Sequence, residues 1–196
     1  LEATGDYEQA AIGLENLIEG GDLDGRPTLE ALTALSRVYR QAGELGRAIK
    51  VGERADQRIK ELGLEGTPES VKLTLTIAAA HAESGDLGYA SRLCQRALKH
   101  AEALHTPNER AGCYWNASII ESSRGNHDEA LALGQKAMHI LDEVEATRNT
   151  PRLRTQLGLL DLRVDPPRVD EALAHLRTAE RELLASIDYL DTCDTC

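Results

Sequence analysis

One short pattern recurs through the sequence at intervals of about forty residues, and it constrains the fold more than any other feature. It consists of a glycine, a polar residue, usually an apolar or aromatic residue, and an alanine five positions after the glycine. Self-similarity at this period is typical of repeat proteins, in which each unit packs against its neighbours. Four copies begin at glycines and a weaker fifth begins at a proline: Gly5, Gly43, Gly85, Gly125 and Pro167.

The residues around each copy predict two helices joined by a tight turn. Prolines recur at positions 27, 68, 107 and 151, and the last three follow a threonine. Threonine as N-cap with proline in the first helical position is a strong helix-start signal. Roughly 15 residues with helical apolar spacing follow each proline, and a second helix of roughly 19 residues follows the turn glycine. Because no segment alternates with period two, the sequence predicts an all-α fold.

These features resemble the tetratricopeptide repeat (TPR). That family has a small residue in its first helix, Gly-Asp/Asn-apolar at the turn, and alanine at two set places in its second helix. The small residues here are Ser36, Ala78 and Ser118, each seven positions before a turn glycine. The resemblance implies a right-handed superhelical solenoid of antiparallel helix pairs. Its period of about 40 residues is longer than the family's usual period of about 34.

A single TPR-like array is predicted over residues 1–196. Because the only methionine is Met138, Leu1 is not a natural start, and we expect the chain to be a piece of a longer protein. The array would comprise the second helix of a truncated repeat (6–19), three full repeats (27–63, 68–105 and 107–146), a divergent last repeat (151–187) and the start of a further element (188–196).

The last repeat carries a second resemblance. Residues 153–158 read LRTQLG, and residues 162–167 read LRVDPP, which inserts Asp-Pro-Pro at the turn. This segment resembles the repeat region of Gram-positive, especially actinobacterial, transcriptional regulators with an N-terminal helix-turn-helix. The resemblance implies a bacterial, cytoplasmic regulator whose DNA-binding part would precede Leu1.

Charge and hydropathy exclude several classes of partner. The chain has 22 basic and 33 acidic residues, giving a net charge of -11. Such an acidic chain is a poor candidate to bind a nucleic-acid backbone directly. No apolar run approaches the ~20 residues that a membrane span needs, so no membrane partner is expected.

The family resemblance also predicts which residues line the inner surface. They suit an extended or helical peptide with an acidic group and an apolar side chain, because arginine holds carboxylates and tryptophan is enriched in binding hot spots. Asn116 occupies the place where peptide-binding members often carry an asparagine that bonds a peptide backbone. The predicted ligand-binding residues are Arg37, Arg40, Lys72, Trp115, Asn116, Ile119, Arg152 and Gln156.

Each of these residues has a structural alternative. Trp115 would pack between repeats, as large aromatic residues often do. Arg37 and Arg40 would form a solvated face with Glu44. Asn116 would bond a neighbouring helix instead of a ligand.

Three functions are compatible with these patterns. The favoured one is a peptide- or protein-sensing domain of a transcriptional regulator, which a ligand would switch by shifting a conformational equilibrium. The alternative is a protein–protein scaffold that does not switch. A co-chaperone clamp is disfavoured because it needs matched lysines and asparagines in successive repeats. A homodimer is also compatible, because a truncated array exposes apolar end faces.

The sequence predicts no enzyme, cofactor or metal site. It contains no HExxH, nucleophile-elbow, P-loop or dinucleotide-binding motif. Cys94 and Cys113 lie in apolar helical patterns and are expected to be buried free thiols. Cys193 and Cys196 form a terminal CxxC that lacks the context of a redox or zinc site, so we expect exposed thiols at the end of a helix.

Overall fold

The computed structural model describes residues 6–20, 25–144 and 149–193, with side chains up to residue 185. All regular structure in these ranges is helical, which confirms the predicted all-α fold of TPR-like helix pairs. None of the described helices is both long and apolar enough to cross a membrane. The helices are α1 (Tyr7–Glu19), α2 (Arg26–Gln41), α3 (Leu45–Glu61), α4 (Pro68–Glu83), α5 (Leu87–Leu104), α6 (Pro107–Ser123), α7 (His127–Glu143), α8 (Thr150–Asp161) and α9 (Val169–Cys193).

The predicted turn glycines act locally as expected, but only one of the three Thr-Pro pairs gives the predicted threonine cap. Gly43, Gly85 and Gly125 have φ angles of 81°, 93° and 85°, a conformation that disfavours residues with a Cβ. Thr67 caps α4, because its Oγ1 accepts a hydrogen bond from the backbone N–H of Ser70 at 3.3 Å. At the start of α6, Thr106 Oγ1 forms no hydrogen bond with the described residues, and α8 begins at Thr150 itself, with Asn149 before it and no side-chain cap. The turns therefore follow from short-range chemistry, whereas a Thr-Pro pair marks a helix start without always capping it. Gly5 and the residues before it lie outside the described residues.

The chain forms two compact units, residues 1–109 and 110–196. In the first unit, each helix from α1 to α5 packs against the next one. In the second unit, α7 packs on α8 and α8 packs on α9. The core of the second unit is aliphatic and includes Leu131, Leu153, Leu157 and Leu160.

Tyr39 anchors α1 in the first unit. Its ring is buried, and its hydroxyl donates a hydrogen bond to Glu15 of α1. The Arg47 guanidinium carbon lies 4.1 Å from the ring centroid. Burial and the hydrogen bond to Glu15 raise the pKa of Tyr39 to about 12, so the hydroxyl remains a donor at neutral pH.

A serine–carbonyl hydrogen bond joins the two helices of two repeats. Ser36 Oγ donates to the carbonyl of Ala48 at 2.8 Å, and Ser118 Oγ donates to that of Ala130 at 2.7 Å. Both serines are small residues predicted to lie where helices touch, and both alanines belong to the recurring pattern. The same hydrogen bond between the two helices therefore recurs at equivalent positions of these two repeats.

Glycine faces each of these serines from the second helix. A Cβ built on Gly52 would lie 3.4 Å from Ser36 Oγ, and one built on Gly134 would lie 3.2 Å from Ser118 Oγ. The middle repeat instead has Ala78 and Cys94 at the corresponding places. The Cys94 thiol is buried, and burial raises its pKa to about 12, so it is an unreactive core residue.

The last repeat keeps this close approach with two extra residues at the turn. A Cβ on Gly158 would lie 3.1 Å from the carbonyl oxygen of Ala172, which makes Gly158 the counterpart of Ser118. The two residues of the contact are 14 positions apart, against 12 for Ser118 and Ala130. The insertion around Asp165 therefore lengthens the turn and leaves the helix pairing intact.

Helix α9 corrects the predicted end of the last repeat. It continues through Cys193, so residues 188–193 belong to α9 and do not begin a further element. The physical reason is that no glycine or proline interrupts the sequence between Val169 and Cys193. The predicted exposure of the Cys193 and Cys196 thiols lies outside the described side chains.

Asp161 is a carboxylate buried at the end of α8. It is 1% exposed, and its Oδ2 accepts no hydrogen bond within the described part of the chain. His175 Nε2 lies 3.7 Å from that oxygen. Burial raises the pKa of Asp161, and the charges of His175 and Arg168 only partly oppose this effect. The ionised carboxylate therefore disfavours the folded state.

We expect Asp161→Asn to raise the free energy of unfolding by about 1 kcal/mol at pH 7, because it removes a poorly partnered buried charge. A raised folded-state pKa means that wild-type stability falls as pH rises from the ordinary aspartate value through the folded one. The advantage of the variant should therefore shrink towards acidic pH. Urea unfolding between pH 4 and 8 measures this difference, and a variant less stable than wild type at pH 7 would contradict it.

Candidate functional site

Two of the three predicted cations of the first unit form ion pairs with carboxylates. Arg40 of α2 forms an ion pair with Glu83 of α4. Lys72 Nζ lies 3.5 Å from Glu109 Oε1. Arg37 is exposed on α2. The positive charges of Arg40 and Lys72 are therefore offset within the unit.

Helices α6 and α8 bring the other five predicted residues together in the second unit. The indole N–H of Trp115 donates a hydrogen bond to Gln156 Oε1. The guanidinium carbon of Arg152 lies 5.9 Å from the Trp115 ring centroid, within cation–π distance. We call the surface formed by these side chains the α6/α8 face, and it consists of Trp115, Asn116, Ile119, Ser122, Arg152, Gln156, Leu159 and Arg163.

A chain of hydrogen bonds ties this face to the core. Gln156 Nε2 donates to Ser118 Oγ at 3.1 Å, and Ser118 Oγ donates to the Ala130 carbonyl at 2.7 Å. Gln156 therefore uses its amide N–H on Ser118 and its amide oxygen on Trp115. This network fixes the indole of Trp115 at the edge of the core cluster, against which the ring also packs.

Asn116 lies beside Trp115 on α6 and is half-buried. Its Nδ2 donates to the carbonyl of Gly112, one turn earlier in the same helix, at 2.9 Å. Its Oδ1 accepts no hydrogen bond from the described residues. The amide oxygen can thus accept a hydrogen bond from a ligand without breaking an internal one.

Apolar side chains and a further arginine complete the face. Ile119 of α6 is 42% exposed, and Leu159 of α8 is 47% exposed. Arg163, in the turn after α8, is exposed, and its Nη1 lies 3.4 Å from Ser122 Oγ. Sequence reasoning missed Arg163 and the supporting role of Ser118, although Arg163 lies five residues after Gly158, just as Ser123 lies five residues after Ser118.

A separate cavity of about 550 Å³ lies at the turn between α8 and α9. It is lined by Asp128 and by residues 164–171, and none of the predicted site residues contributes to it. Within the described part of the chain, no three His, Cys, Asp or Glu side chains are arranged to hold a metal ion.

Among the comparisons with known proteins, only the one with solved structures finds similar proteins. No protein-family model matches the chain, and a search of curated proteins finds no significant match. Solved structures are similar over nearly the whole chain. One is a Rap protein complexed with competence and sporulation factor, with a TM-score of 0.77 at 15% identity, covering 92% of this chain and 52% of that one.

Two further structures extend the comparison. PlcR of Bacillus thuringiensis, in complex with the peptide PapR7 and DNA, gives a TM-score of 0.74 at 17% identity and covers 95% of this chain and 67% of PlcR. The TPR-like repeats of a kinesin light chain from Podosopora anserina give 0.68 at 15% identity, with 92% and 90% covered. At this identity the likeness establishes the TPR-like fold, and the chain spans about half the length of the Rap protein.

Proposed function

We propose that this chain is a peptide- or protein-binding domain and that it senses its ligand on behalf of a bacterial, cytoplasmic transcriptional regulator. The observation that supports binding is the α6/α8 face. It combines an indole held in place by the core, an asparagine with an unused acceptor, and two exposed aliphatic side chains. A surface with rigid aromatic and adaptable polar groups suits peptide recognition.

The regulatory part of the proposal draws on two of the similar structures. The Rap structure contains competence and sporulation factor, and the PlcR structure contains a peptide and DNA. By this analogy the DNA-binding part would lie outside the chain, because the chain itself carries a net charge of -11. The domain would then have no catalytic role.

Binding is tested by selecting linear peptides from a random library on the purified chain and synthesising the strongest. We expect Asn116→Ala to weaken the selected peptide about tenfold, because a hydrogen bond to its backbone is lost. Trp115 fluorescence measures the affinity, and far-UV circular dichroism checks the fold. Asn108→Ala is the matched control on the exposed start of α6. Equal loss in both variants, or no loss in either, would contradict this site.

Switching is tested by small-angle scattering of the chain with and without saturating peptide. A sensor changes its radius of gyration, because the ligand prefers one conformation over another. An unchanged profile at saturation would favour the alternative function, a protein–protein scaffold that binds without switching.

A further inference from the structure

Two arginines of the α6/α8 face have no carboxylate partner among the residues that the structure describes. Arg152 and Arg163 are both exposed, and neither forms an ion pair within the described part of the chain. Arg152 lies over the Trp115 ring, and Arg163 contacts the Ser122 hydroxyl. What sets these two arginines apart is that both lie on the same face as Trp115 and the exposed aliphatic side chains.

Lys72 of the first unit shows how a cation at the position of Arg152 can be offset. Lys72 lies six residues before Ala78, just as Arg152 lies six before Gly158. Lys72 forms an ion pair with Glu109. Arg152 has the same place in its repeat without such a carboxylate.

The position of Arg163 also lacks the ion pair that is found at the equivalent position of the first unit. In the first unit, Arg40 of one repeat pairs with Glu83 of the next. Arg40 lies four residues after the small residue Ser36, and Ser122 lies four after Ser118, so the two positions correspond. Glu83 lies five residues after Ala78, and Arg163 lies five after Gly158, so these positions correspond as well. An internal ion pair in the first unit is thus replaced by a serine and an unpaired arginine in the second.

The two arginines lie on one side of α8 and the turn after it, where the N–H groups of Arg163 and Val164 still bond the carbonyl of Leu160, so the helical path continues approximately to Arg163. Arg152, Leu159 and Arg163 are separated by seven and four residues, so at 100° per residue they lie within about 40° of one another. Arg152 and Arg163 are roughly 16 Å apart along the helix axis at 1.5 Å per residue. Exposed Leu159 lies between the two arginines in the sequence, and exposed Ile119 belongs to α6, the other helix of this face.

We propose that the α6/α8 face binds an extended linear peptide segment that carries two acidic side chains about five residues apart with an apolar side chain between them. The spacing follows from about 3.3 Å per residue in an extended chain. Arg152 and Arg163 each hold one carboxylate, and Ile119 and Leu159 contact the apolar side chain. This inference rests on the proposed peptide-binding function and specifies its ligand class.

The test is messenger-RNA display of random dodecapeptides on four proteins: wild type, Arg152→Gln, Arg163→Gln and Arg177→Gln. The last variant removes an exposed arginine of α9, away from this face, as the matched control. We expect wild type and control to enrich paired Asp or Glu residues four to six positions apart. Each of the other two variants should lose the acidic preference at one of the two positions, and not at the same one.

A synthetic peptide with the selected pattern then measures the size of the effect. Arg152→Gln and Arg163→Gln should each weaken it about tenfold by Trp115 fluorescence, with weaker binding at high salt. This inference is overturned if the selected peptides lack paired acidic residues, or if the acidic preference survives in both variants. Either result would leave the proposed peptide binding intact. No enrichment above a bead control overturns the proposed function as well.

Discussion

Leu157→Ala is expected to lower the free energy of unfolding of the second unit by about 2–5 kcal/mol, the range measured for large cavity-forming substitutions. Leu157 is 0% exposed and lies in the cluster that holds α7 and α8 together. Trp115, the only tryptophan, reports unfolding of this unit in urea. A loss below about 1 kcal/mol would mean that the neighbouring side chains refill the space.

A double-mutant cycle with Gly134→Ala makes this prediction specific. A Cβ on Gly134 would lie 2.8 Å from Leu157 Cδ2, so alanine there forces the leucine to move. Once Leu157 is alanine, the same Cβ occupies vacated space. We therefore expect Leu157→Ala to cost at least about 0.5 kcal/mol less in the Gly134→Ala background. Additive effects would show that the two positions do not meet.

Gly158→Ala is expected to lower the free energy of unfolding by about 1–3 kcal/mol. Its Cβ would lie 2.9 Å from Leu176 Cγ and 3.1 Å from the Ala172 carbonyl oxygen. A carbonyl oxygen in a packed helix cannot move aside as the end of a side chain does. The helices α8 and α9 would have to separate, which weakens the packing around Gly158. Urea unfolding followed by Trp115 fluorescence measures the loss.

Gly13→Ala is the matched control for this substitution. Gly13 lies in the middle of α1, and no atom lies within 4 Å of a Cβ built there. Alanine should therefore raise stability by about 0.5–1 kcal/mol through helix propensity alone. Circular dichroism follows this variant because it lies in the first unit. If both alanines stabilise the protein, Gly158 is not a point of close helix approach.

The sequence by itself was enough to predict the helix pairs and their turns. Glycines at positive φ, prolines in the first helical turn and helix-period apolar residues act within a few residues of chain, so their effect can be read locally. The serine at the helix contact was recognisable as a small residue. Its hydrogen bond to Ala48 or Ala130 was not, because that bond joins groups 12 residues apart.

Only the tertiary structure decided how the candidate site residues are used. Gln156 was expected to contact a ligand, yet its amide bonds Trp115 and Ser118, which lie 41 and 38 residues away. Arg40 is paired with Glu83, 43 residues away, while Arg163 has a serine neighbour. A helical pattern places a side chain on a face, but the residue it meets there depends on another helix whose register the sequence leaves open. In the last repeat that register was set by the contact of Gly158 with Ala172, because only a residue without a Cβ allows the two helices to approach so closely.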